Sequence, residues 1–240
     1  MVKGYDKIDL NYGVLLDLPF NEGSGIITRD IAKPHHQEVS LVGPPAWGKV
    51  ALSNTNVLVL NGATDYLECP AIDTVDLDFT SEDYSIGVWI NWTSLGGVTS
   101  SYIIGRGAVE NDGWDTYLNL SGGLNTLSQR HAHVSGGGGN LKSECFSTGW
   151  TPGIWWFFGM SRSGLYTPHY RNGVALTMSY SAFNMEDPDT AVRDLVIGSR
   201  YTKDQHWFLG MMKRPRIWGR ALAAEEWQYL FEMERHLFGV

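Results

Sequence analysis

Aromatic rings and hydrogen-bonding side chains are concentrated in two segments of the sequence, residues 108–117 and 199–207. Aromatic rings pack on the apolar faces of sugars, and neighbouring polar groups bind the hydroxyls. The same residue types also form ordinary turns beside strand aromatics that face a core. The segments therefore predict either a surface that binds carbohydrate or a partner, or two structural turns. The candidate binding residues are Asn111, Asp112, Trp114, Asp115 and Tyr117 in the first segment and Arg200, Tyr201, Asp204, His206 and Trp207 in the second.

Two histidines, His131 and His133, have a spacing that could serve a metal ion. Alternate residues of a strand point to the same face, so both imidazoles would project from one side of a sheet. A zinc site needs a further ligand such as a carboxylate, and the sequence identifies none. The alternative interpretation is a polar face of a sheet.

The sequence lacks the spacing of two carboxylates that glycoside hydrolysis requires. Glycoside hydrolysis needs two carboxyl groups about 5–5.5 Å or about 6.5–9.5 Å apart, which on one strand requires an E-x-D-x-x-E type of pattern because alternate residues share a face. Asp73, Asp76 and Asp78 come nearest, and they are typical of a solvated acidic loop. Glu232 and Glu234 are expected to face solvent on a helix. Since no G-x-S-x-G motif occurs either, we expect that the protein is not an enzyme.

Charge and cysteine content exclude several classes of protein. The chain has a net charge of −8, so attraction to nucleic-acid phosphates or anionic membranes is unfavourable. Cys69 and Cys145 lack the spacing of a zinc site and are expected to be buried free thiols. The sequence contains no run of about 18 apolar residues and no signal-peptide pattern. We therefore expect neither a membrane span nor an encoded signal peptide.

Short segments in which apolar and polar residues alternate are the most frequent pattern in the chain. Strands formed by these segments would position the candidate residues. In residues 84–92 every second residue from Tyr84 to Trp92 shares one face, which makes this the clearest strand. Asn-Gly pairs at 61–62 and 172–173 predict turns, and the second is expected to close a hairpin. Other strands are predicted within residues 13–20, 57–70, 101–106, 114–120, 131–135, 154–162, 165–171, 194–200 and 207–212, with a loop at 136–139.

The spacing of the apolar residues changes near the end of the chain. Residues up to Trp218 suit a strand, whereas from Ala221 onward Trp227, Leu230 and Phe231 fall on one side of a helix. Many short strands separated by glycine-rich turns, followed by one short C-terminal helix, predict an all-β fold. We expect a two-sheet antiparallel β-sandwich.

These segments, taken in order, resemble the laminin-G-like, concanavalin A-like lectin/glucanase jelly-roll family over about residues 12–232. The closing stretch GMMKRPRIWGRALAAEEWQYLF (210–231) is similar to the last strand, turn and short helix of that family. The resemblance implies a jelly roll in which the helix covers one end of the sandwich and the last strand lies near the first. Earlier stretches that resemble the family are LPFNEGSG (18–25), LNGATDYLECP (60–70), YSIGVWIN (84–91), WWFFGMSRSGLYTPHYRNGVAL (155–176) and DLVIGSR (194–200).

The resemblance also implies a candidate cofactor, because many members of this family bind one structural calcium ion. Asp30 matches an aspartate that follows the first turn of the family. The matching position in the last strand is occupied by Met211 and Met212, whose thioethers a hard cation does not prefer. Asp30 is therefore the one residue that the resemblance assigns to a metal.

Two functions fit the resemblance. The first is a noncatalytic lectin-like recognition or adhesion domain that serves as a surface or decoration protein of a phage or virus particle, with a neighbouring structural protein as partner. The second is a soluble lectin module that binds carbohydrate, and a glycoside hydrolase of the same fold is a third alternative. We expect a single domain over residues 1–240, with segments 1–11 and 233–240 as extending arms that could support a homo-oligomer. The expected location is a virion surface or the extracellular space.

Overall fold

Two antiparallel sheets, of eight and nine strands, pack face to face in the computed structural model, and an α-helix lies near the carboxyl terminus. The fold is the all-β sandwich that the sequence predicts. The predicted loop at 136–139 falls outside the residues that the structure describes. Those residues are 9–32, 38–95, 99–109, 111–121, 124–134, 140–180 and 185–240.

The strands are numbered along the chain. They are β1 (Val14–Asp17), β2 (Ile27–Arg29), β3 (Glu38–Val42), β4 (Ala46–Lys49), β5 (Asn56–Asn61), β6 (Tyr66–Cys69), β7 (Tyr84–Ser94), β8 (Ser100–Ala108), β9 (Asp112–Ser121), β10 (Leu124–Val134), β11 (Asn140–Thr148), β12 (Trp156–Arg162), β13 (His169–Arg171), β14 (Val174–Ala175), β15 (Ser179–Tyr180), β16 (Leu195–Ile197) and β17 (Leu209–Trp218). The helix α1 spans Ala224–Glu234, and short 3₁₀ turns span Ala71–Asp73, Val75–Leu77 and Arg235–Leu237.

The two sheets differ in strand order. The eight-stranded sheet has the order β14-β13-β12-β7-β17-β5-β4, and β1 also pairs with β17. The nine-stranded sheet has the order β15-β11-β10-β9-β8-β16-β6-β3-β2. Strands β8 to β11 are consecutive in the chain and adjacent in the sheet, so they form a meander of long antiparallel strands.

Strand β7 shows how the sequence builds two cores. Ile86, Val88 and Ile90 belong to the cluster of apolar side chains between the sheets. Trp89, which points to the opposite face, belongs to a second cluster that includes Trp227 of α1. Burying a large apolar side chain stabilises a fold by about 1.5–3 kcal/mol, so β7 contributes through both of its faces.

Two glycines form the flat surface on which α1 packs. Gly87 on β7 and Gly159 on β12 lie directly opposite each other. A Cβ added to them would lie 2.9 Å and 2.5 Å from the indole ring of Trp227. The same indole donates a hydrogen bond from Nε1 to Ser161 Oγ at 2.9 Å. The helix is thus held on the eight-stranded sheet by one aromatic ring that needs a surface without side chains.

The first turn of α1 has half of a capping box. Ala223 is the N-cap residue and makes no side-chain hydrogen bond. Glu226 Oε2 still accepts a hydrogen bond from Ala223 N at 2.9 Å, which is the second half of that motif. Packing against the sheet compensates for the missing half of the cap.

The two Asn-Gly turns have different roles. Strands β13 and β14 form the predicted hairpin, with Asn172 and Gly173 at φ values of +52° and +77°. Two strands also flank Asn61-Gly62 as predicted, but β5 and β6 belong to different sheets. The Asn61 side-chain oxygen accepts hydrogen bonds from the backbone N–H groups of residues 63–65 at 2.8–3.2 Å. This turn therefore carries the chain from one sheet to the other.

The amino-terminal part of the described chain packs against the last strand. Strand β1 pairs antiparallel with β17, as the resemblance implies. Trp218 Nε1 donates to Leu10 O at 2.9 Å, and Arg220 Nη2 donates to Asp9 O at 3.2 Å. Of the predicted arm, residues 9–11 are thus joined to the sandwich, and residues 1–8 lie outside the described residues.

The carboxyl-terminal segment corrects the expectation of an extending arm at 233–240. After α1 the chain forms a 3₁₀ turn, and Phe238 stacks on Trp89 with ring centroids 3.9 Å apart. Phe238 is 6% exposed. The segment is therefore part of the packed fold, because its apolar residues cover the outer face of β7.

Several short strands have no clear period in the sequence. Strands β2, β4 and β15 have two to four residues each, which is too few for alternation to distinguish them from loops. Both cysteines are buried free thiols, as expected. A membrane-spanning helix needs about 20 apolar residues, and no helix in the described part of the chain meets that requirement.

Candidate functional site

The outer face of the nine-stranded sheet carries two rows of polar and aromatic side chains. Trp114, Leu118 and Leu127 of β9 and β10 belong to the core between the sheets, so the residues that alternate with them point outward. Cross-strand pairing places Asp115, Arg130 and Glu144 in one outward row, and Tyr102, Tyr117 and Ser128 in the next. We name these six residues the Arg130 face.

Arg130 lies at the centre of this face and is 4% exposed. Its Nη2 donates to Asp115 Oδ2 and to Tyr102 Oη, each at 2.6 Å. Its Cζ lies 4.7 Å from the ring centroid of Tyr117. Burial lowers the pKa of Arg130, but Asp115 and the two tyrosines outweigh that effect and raise the pKa above its ordinary value. Arg130 is therefore a fixed positive charge.

Two stacked tyrosines lie beside the guanidinium. The rings of Tyr102 and Tyr117 have centroids 5.3 Å apart and an interplanar angle of 19°. Tyr117 Oη donates to Glu144 Oε1 at 2.6 Å. Burial raises the pKa of Tyr102 to about 12, so its hydroxyl stays neutral. The pair forms a nearly buried aromatic floor, and Glu144 is half-buried at its edge.

Three polar atoms of the Arg130 face have no hydrogen-bond partner among the described residues. They are Asp115 Oδ1, Ser128 Oγ and Arg130 Nε. A buried polar group without a partner costs about 1–3 kcal/mol, and such groups usually bind a ligand or an ordered water. The three atoms comprise an acceptor, a hydroxyl and a donor. The Arg130 face therefore retains hydrogen-bonding capacity that no described residue uses.

The structure divides the predicted segment 108–117 between the two faces of β9. Trp114 is 1% exposed and donates from Nε1 to Leu77 O at 2.9 Å. Its prediction as a surface binding residue is wrong, because alternation along β9 places its ring in the core, tilted against Phe79 and Tyr84. Asp115 and Tyr117 of the same segment, which belong to the Arg130 face, point outward.

Asp112 and Asn111 hold the turn between β8 and β9. Asp112 is 8% exposed, and its Oδ1 accepts from Ala108 N at 2.7 Å. Its Oδ2 lies 3.4 Å from Arg193 Nε. Asn111 N donates to Ala108 O at 3.0 Å. These contacts favour the structural-turn interpretation for both residues.

The second predicted segment lies beside the Arg130 face. Tyr102 N donates to His206 O at 3.0 Å, and the two side-chain rings are 5.9 Å apart. Tyr201 is contacted by the guanidinium groups of Arg193 and Arg200, at 5.4 Å and 5.1 Å from its ring centroid. Since Arg193 also approaches Asp112, the two predicted segments are brought together around β8.

Two further candidates lie in the same loop. Asp204 is exposed and accepts a hydrogen bond from Thr202 Oγ1. Trp207 is half-buried, and its carbonyl oxygen accepts from Ser101 Oγ at 3.0 Å. Together with His206, Tyr201 and Arg200, which are also half-buried, this loop forms the rim beside the Arg130 face.

The two histidines are engaged in hydrogen bonds. His131 lies between the sheets, with Nε2 2.7 Å from Tyr84 Oη and Nδ1 2.8 Å from Glu186 O. Burial lowers its pKa to about 3, so the ring is neutral. His133 Nε2 lies 3.3 Å from Glu186 Oε2. Both imidazoles share a face as predicted, and their contacts favour the polar-face alternative over a metal site.

Asp30 has a structural role. Its Oδ1 accepts hydrogen bonds from Asp17 N at 2.7 Å and from Ala32 N at 2.8 Å, and the residue is 2% exposed. Nowhere in the described ranges do three or more His, Cys, Asp or Glu side chains form a group that could hold a metal ion. The residues present at Asp30 therefore do not fit a calcium site.

Two acidic residues that were expected to face solvent form ion pairs instead. Asp78 Oδ1 lies 2.8 Å from Arg106 Nη1. Glu234 is 9% exposed, and its Oε2 accepts from Trp89 Nε1 at 2.7 Å and from Arg216 Nη2 at 2.9 Å. The helical pattern alone does not reveal these partners, because they come from other elements.

Sequence reasoning did not identify Arg130, Tyr102, Ser128 or Glu144 as site residues. The only indication of them in the sequence is that each residue alternates, along its strand, with residues whose side chains point into the core. Alternation gives the face of a residue but not its cross-strand neighbours. The register of β8 to β11 was needed to place Arg130 between two carboxylates.

Comparison with known proteins identifies the fold family. A family model for the concanavalin A-like lectin/glucanases superfamily matches residues 61–227. No curated protein gives a significant match to the sequence. Among solved structures, domain 4 of AbnA, a GH43 extracellular arabinanase from Geobacillus stearothermophilus in complex with arabinotriose, aligns with a TM-score of 0.62 and 16% identity, over 90% of this chain and 97% of that chain.

Two toxin domains have a similar fold. The receptor binding domain of botulinum neurotoxin D aligns with a TM-score of 0.67 and 15% identity, over 94% of this chain and 54% of that chain. The botulinum neurotoxin serotype G binding domain aligns with a TM-score of 0.67 and 13% identity, over 92% of this chain and 51% of that chain. This chain thus spans about half the length of the toxin domains. Identities this low show a shared fold alone.

The family model itself covers most of the sandwich. Its matched residues run from the end of β5 through β17 to the first turns of α1. They include every strand that carries the Arg130 face. The chain belongs to the concanavalin A-like lectin/glucanases superfamily.

Proposed function

We propose that this protein is a noncatalytic, lectin-like recognition domain that binds carbohydrate at the Arg130 face. One observation carries the proposal: Asp115 Oδ1 and Arg130 Nε, an acceptor and a donor on adjacent strands, are buried without a partner in the described chain. A sugar with two adjacent hydroxyls can donate to the first atom and accept from the second. The stacked rings of Tyr102 and Tyr117 lie beside them.

Proteins of similar fold support a recognition role. Domain 4 of the arabinanase was solved in complex with arabinotriose, and the toxin domains are receptor binding domains. Both facts concern those proteins. They support recognition as the role of this fold, and the chemistry of the Arg130 face supports a ligand rich in hydroxyl groups.

The arrangement of carboxylates supports binding over hydrolysis. Asp115 is paired with Arg130, and Glu144 accepts a hydrogen bond from Tyr117. A glycoside hydrolase needs one carboxyl group that keeps its proton and donates it to the leaving oxygen. Burial raises the pKa of Asp115, although the Arg130 guanidinium opposes that effect. Fixed contacts therefore weigh against an acid role, because Arg130 holds one oxygen of Asp115 and Tyr117 holds one oxygen of Glu144.

Ser128→Ala tests this proposal without breaking a protein contact. A glycan array first identifies a ligand, and titration calorimetry then compares the variant with the parent protein. We expect roughly two- to tenfold weaker binding, which corresponds to the loss of one hydrogen bond. Stability should be unchanged or higher, because Ser128 Oγ has no partner in the described chain.

Ser179→Ala is the matched control, since Ser179 is exposed on the edge strand β15 of the same sheet. Equal affinity of Ser128→Ala and the parent protein would contradict the proposal. Purified protein that cleaves the bound glycan with turnover would contradict its noncatalytic part.

A role as a surface or decoration protein of a larger assembly, such as a phage or virus particle, is the second candidate. Leu120 and Leu124 at the end of the β9–β10 hairpin are 50% and 57% exposed. Exposed apolar side chains of this size can mark a contact with a neighbouring subunit. A silent glycan array, combined with self-assembly during size-exclusion chromatography, would favour this second role and an extracellular or virion location.

A further inference from the structure

A mostly apolar cavity of about 270 Å³ lies on the eight-stranded sheet, far in the fold from the Arg130 face. Its walls come from strand β17, the segments after β1 and β2, and the carboxyl-terminal turn. Trp89 and Phe238 are among its apolar lining residues, and Asn21, Lys213, Arg214 and Glu234 are among its polar ones.

A bulge in β17 brings two consecutive cations to this cavity. Lys213 pairs with Trp89 on β7, and the register then shifts before Arg216. Arg214, within the bulge, has a φ of +50°, which is costly for a residue with a side chain. Consecutive residues of a regular strand point to opposite faces, whereas Lys213 and Arg214 both line the cavity.

The positive charge of Arg214 is neutralised by carboxylates of the protein itself. Its Nε and Nη2 bind both carboxylate oxygens of Asp17 at 3.0 Å and 2.9 Å, and its Nη1 binds Glu234 Oε1 at 2.8 Å. The other oxygen of Glu234 accepts from Arg216 Nη2. These four groups therefore form a closed network of two cations and two anions.

Lys213 has no carboxylate partner in the part of the chain that the structure describes. Its Nζ donates to Phe20 O at 3.2 Å and to Asn21 Oδ1 at 2.9 Å, both neutral oxygens. An ammonium group has three N–H donors, so one remains for a ligand in the cavity. The residue is 5% exposed, and a buried charge without a counter-charge is unfavourable.

The pKa of Lys213 reflects its burial and the charged groups around it. Burial lowers its pKa to about 8, and Arg214 acts in the same direction. Glu22, Glu234 and Asp17 act in the opposite direction. The amine is therefore mostly protonated at pH 7 and loses its charge as the pH rises above about 8.

We propose that this cavity binds a small organic monocarboxylate with an apolar chain. The carboxylate pairs with Lys213, and the chain packs against Trp89 and Phe238. An inorganic anion would leave the apolar wall without a contact, and a neutral apolar molecule would leave the ammonium without a counter-charge. A ligand with both features satisfies each part of the cavity.

Titration calorimetry with octanoate at pH 6.5 tests the proposal, with octanol as the neutral analogue of similar length. We expect octanoate to bind the parent protein at least about tenfold more tightly than octanol, because a charge-assisted contact contributes about 1.5–3 kcal/mol. Lys213→Met should reduce octanoate affinity by at least about tenfold. Lys49→Met, on an exposed residue of the edge strand β4, is the control and should bind as the parent protein does.

The pH dependence of the parent protein gives a second test that does not depend on how the variant folds. Octanoate affinity should fall between pH 6.5 and pH 9.5 as the amine loses its proton, while octanol affinity stays constant. Undetectable octanoate binding, equal binding of octanoate and octanol, or a flat pH profile would each overturn the proposal. A folded Lys213→Met protein, checked by circular dichroism, with unchanged affinity would do so as well. Glycan binding at the Arg130 face is measured separately, so the two proposals fail independently.

Discussion

Glu234 and Arg130 are buried charges that are stabilised to different degrees. Removing a charge from water costs several kcal/mol unless opposite charges and hydrogen bonds replace the water. Glu234 receives hydrogen bonds from Trp89, Arg214 and Arg216. Arg130 has one carboxylate partner and keeps Nε unpaired within the described residues. This contrast favours a structural role for Glu234 and supports the proposed binding role of Arg130.

Glu234→Gln should lower the free energy of unfolding by about 3–5 kcal/mol, because it leaves buried cations without a counter-charge. Arg216, which is 4% exposed, is the cation most affected. Urea denaturation measures the change. Glu232→Gln is the matched control on the same helix, where a half-exposed side chain pairs with Arg235, and it should change stability by about 0–1 kcal/mol. Similar losses for both variants would contradict the role given to Glu234.

At the scale of elements, α1 depends on the sheet beneath it. The helix has 11 residues, and isolated helices shorter than about 12–15 residues are marginal in water. Its stability therefore comes from contacts with the sheet, among them the packing of Trp227 on Gly87 and Gly159 and the ion pairs of Glu234. The incomplete cap at Ala223 is a second, local determinant of how firmly the first turn is held.

Ala223→Ser should stabilise the protein by about 0.5–2 kcal/mol. Ala223 has the extended backbone of an N-cap residue, with φ −75° and ψ 161°. A serine hydroxyl there can accept from the backbone N–H of Glu226, whose side chain already accepts a hydrogen bond from the N–H of residue 223. Thermal unfolding monitored by circular dichroism gives the change. Ala224→Ser, one residue into the helix, should be neutral or destabilising, and equal effects at the two positions would argue against the capping explanation.

At the scale of the whole molecule, the space between the sheets contains neutral polar groups as well as apolar ones. His131 bonds to Tyr84, and His169 Nδ1 lies 3.0 Å from Ser147 Oγ. Burial lowers the pKa of each histidine to about 3. The sandwich is therefore most stable when both imidazoles are uncharged.

Stability should fall as the pH falls from about 6.5 towards 3. In the unfolded chain both histidines take up protons near pH 6.5, whereas in the folded protein they do so near pH 3. The unfolded state then binds more protons in this window, and each histidine contributes a slope of up to about 1.4 kcal/mol per pH unit. Above about pH 6.5 their contribution is fully present.

Urea denaturation between pH 7.5 and pH 5 measures this slope above the ordinary pKa range of carboxyl groups. His131→Gln should reduce the slope, because it removes one of the two groups. His206→Gln, at the half-buried rim, is the control. A stability that is constant between pH 7.5 and pH 5 would contradict the assignment of buried, neutral histidines.

The fold class was predictable from the amino-acid sequence, because the relevant signals are local. A period of two along residues 84–92 and a period of 3.6 after Ala221 are properties of neighbouring residues, and they predicted the central strand and the closing helix. The hairpin at Asn172-Gly173 was equally local, since it depends on two residues that tolerate positive φ. The sequence also marked residues 108–117 and 199–207 as candidate binding segments, and that assignment stays a prediction.

Which of those residues lie close together depends on how the strands pair in three dimensions. Trp114 and Tyr117 are three residues apart, yet the first fills the core and the second lies on the Arg130 face. Cross-strand register brought Arg130 between Asp115 and Glu144, and a shift of one residue would exchange the faces of a whole strand. Register depends on how distant strands pair and layers close, so the binding face follows from packing that no single stretch of sequence contains.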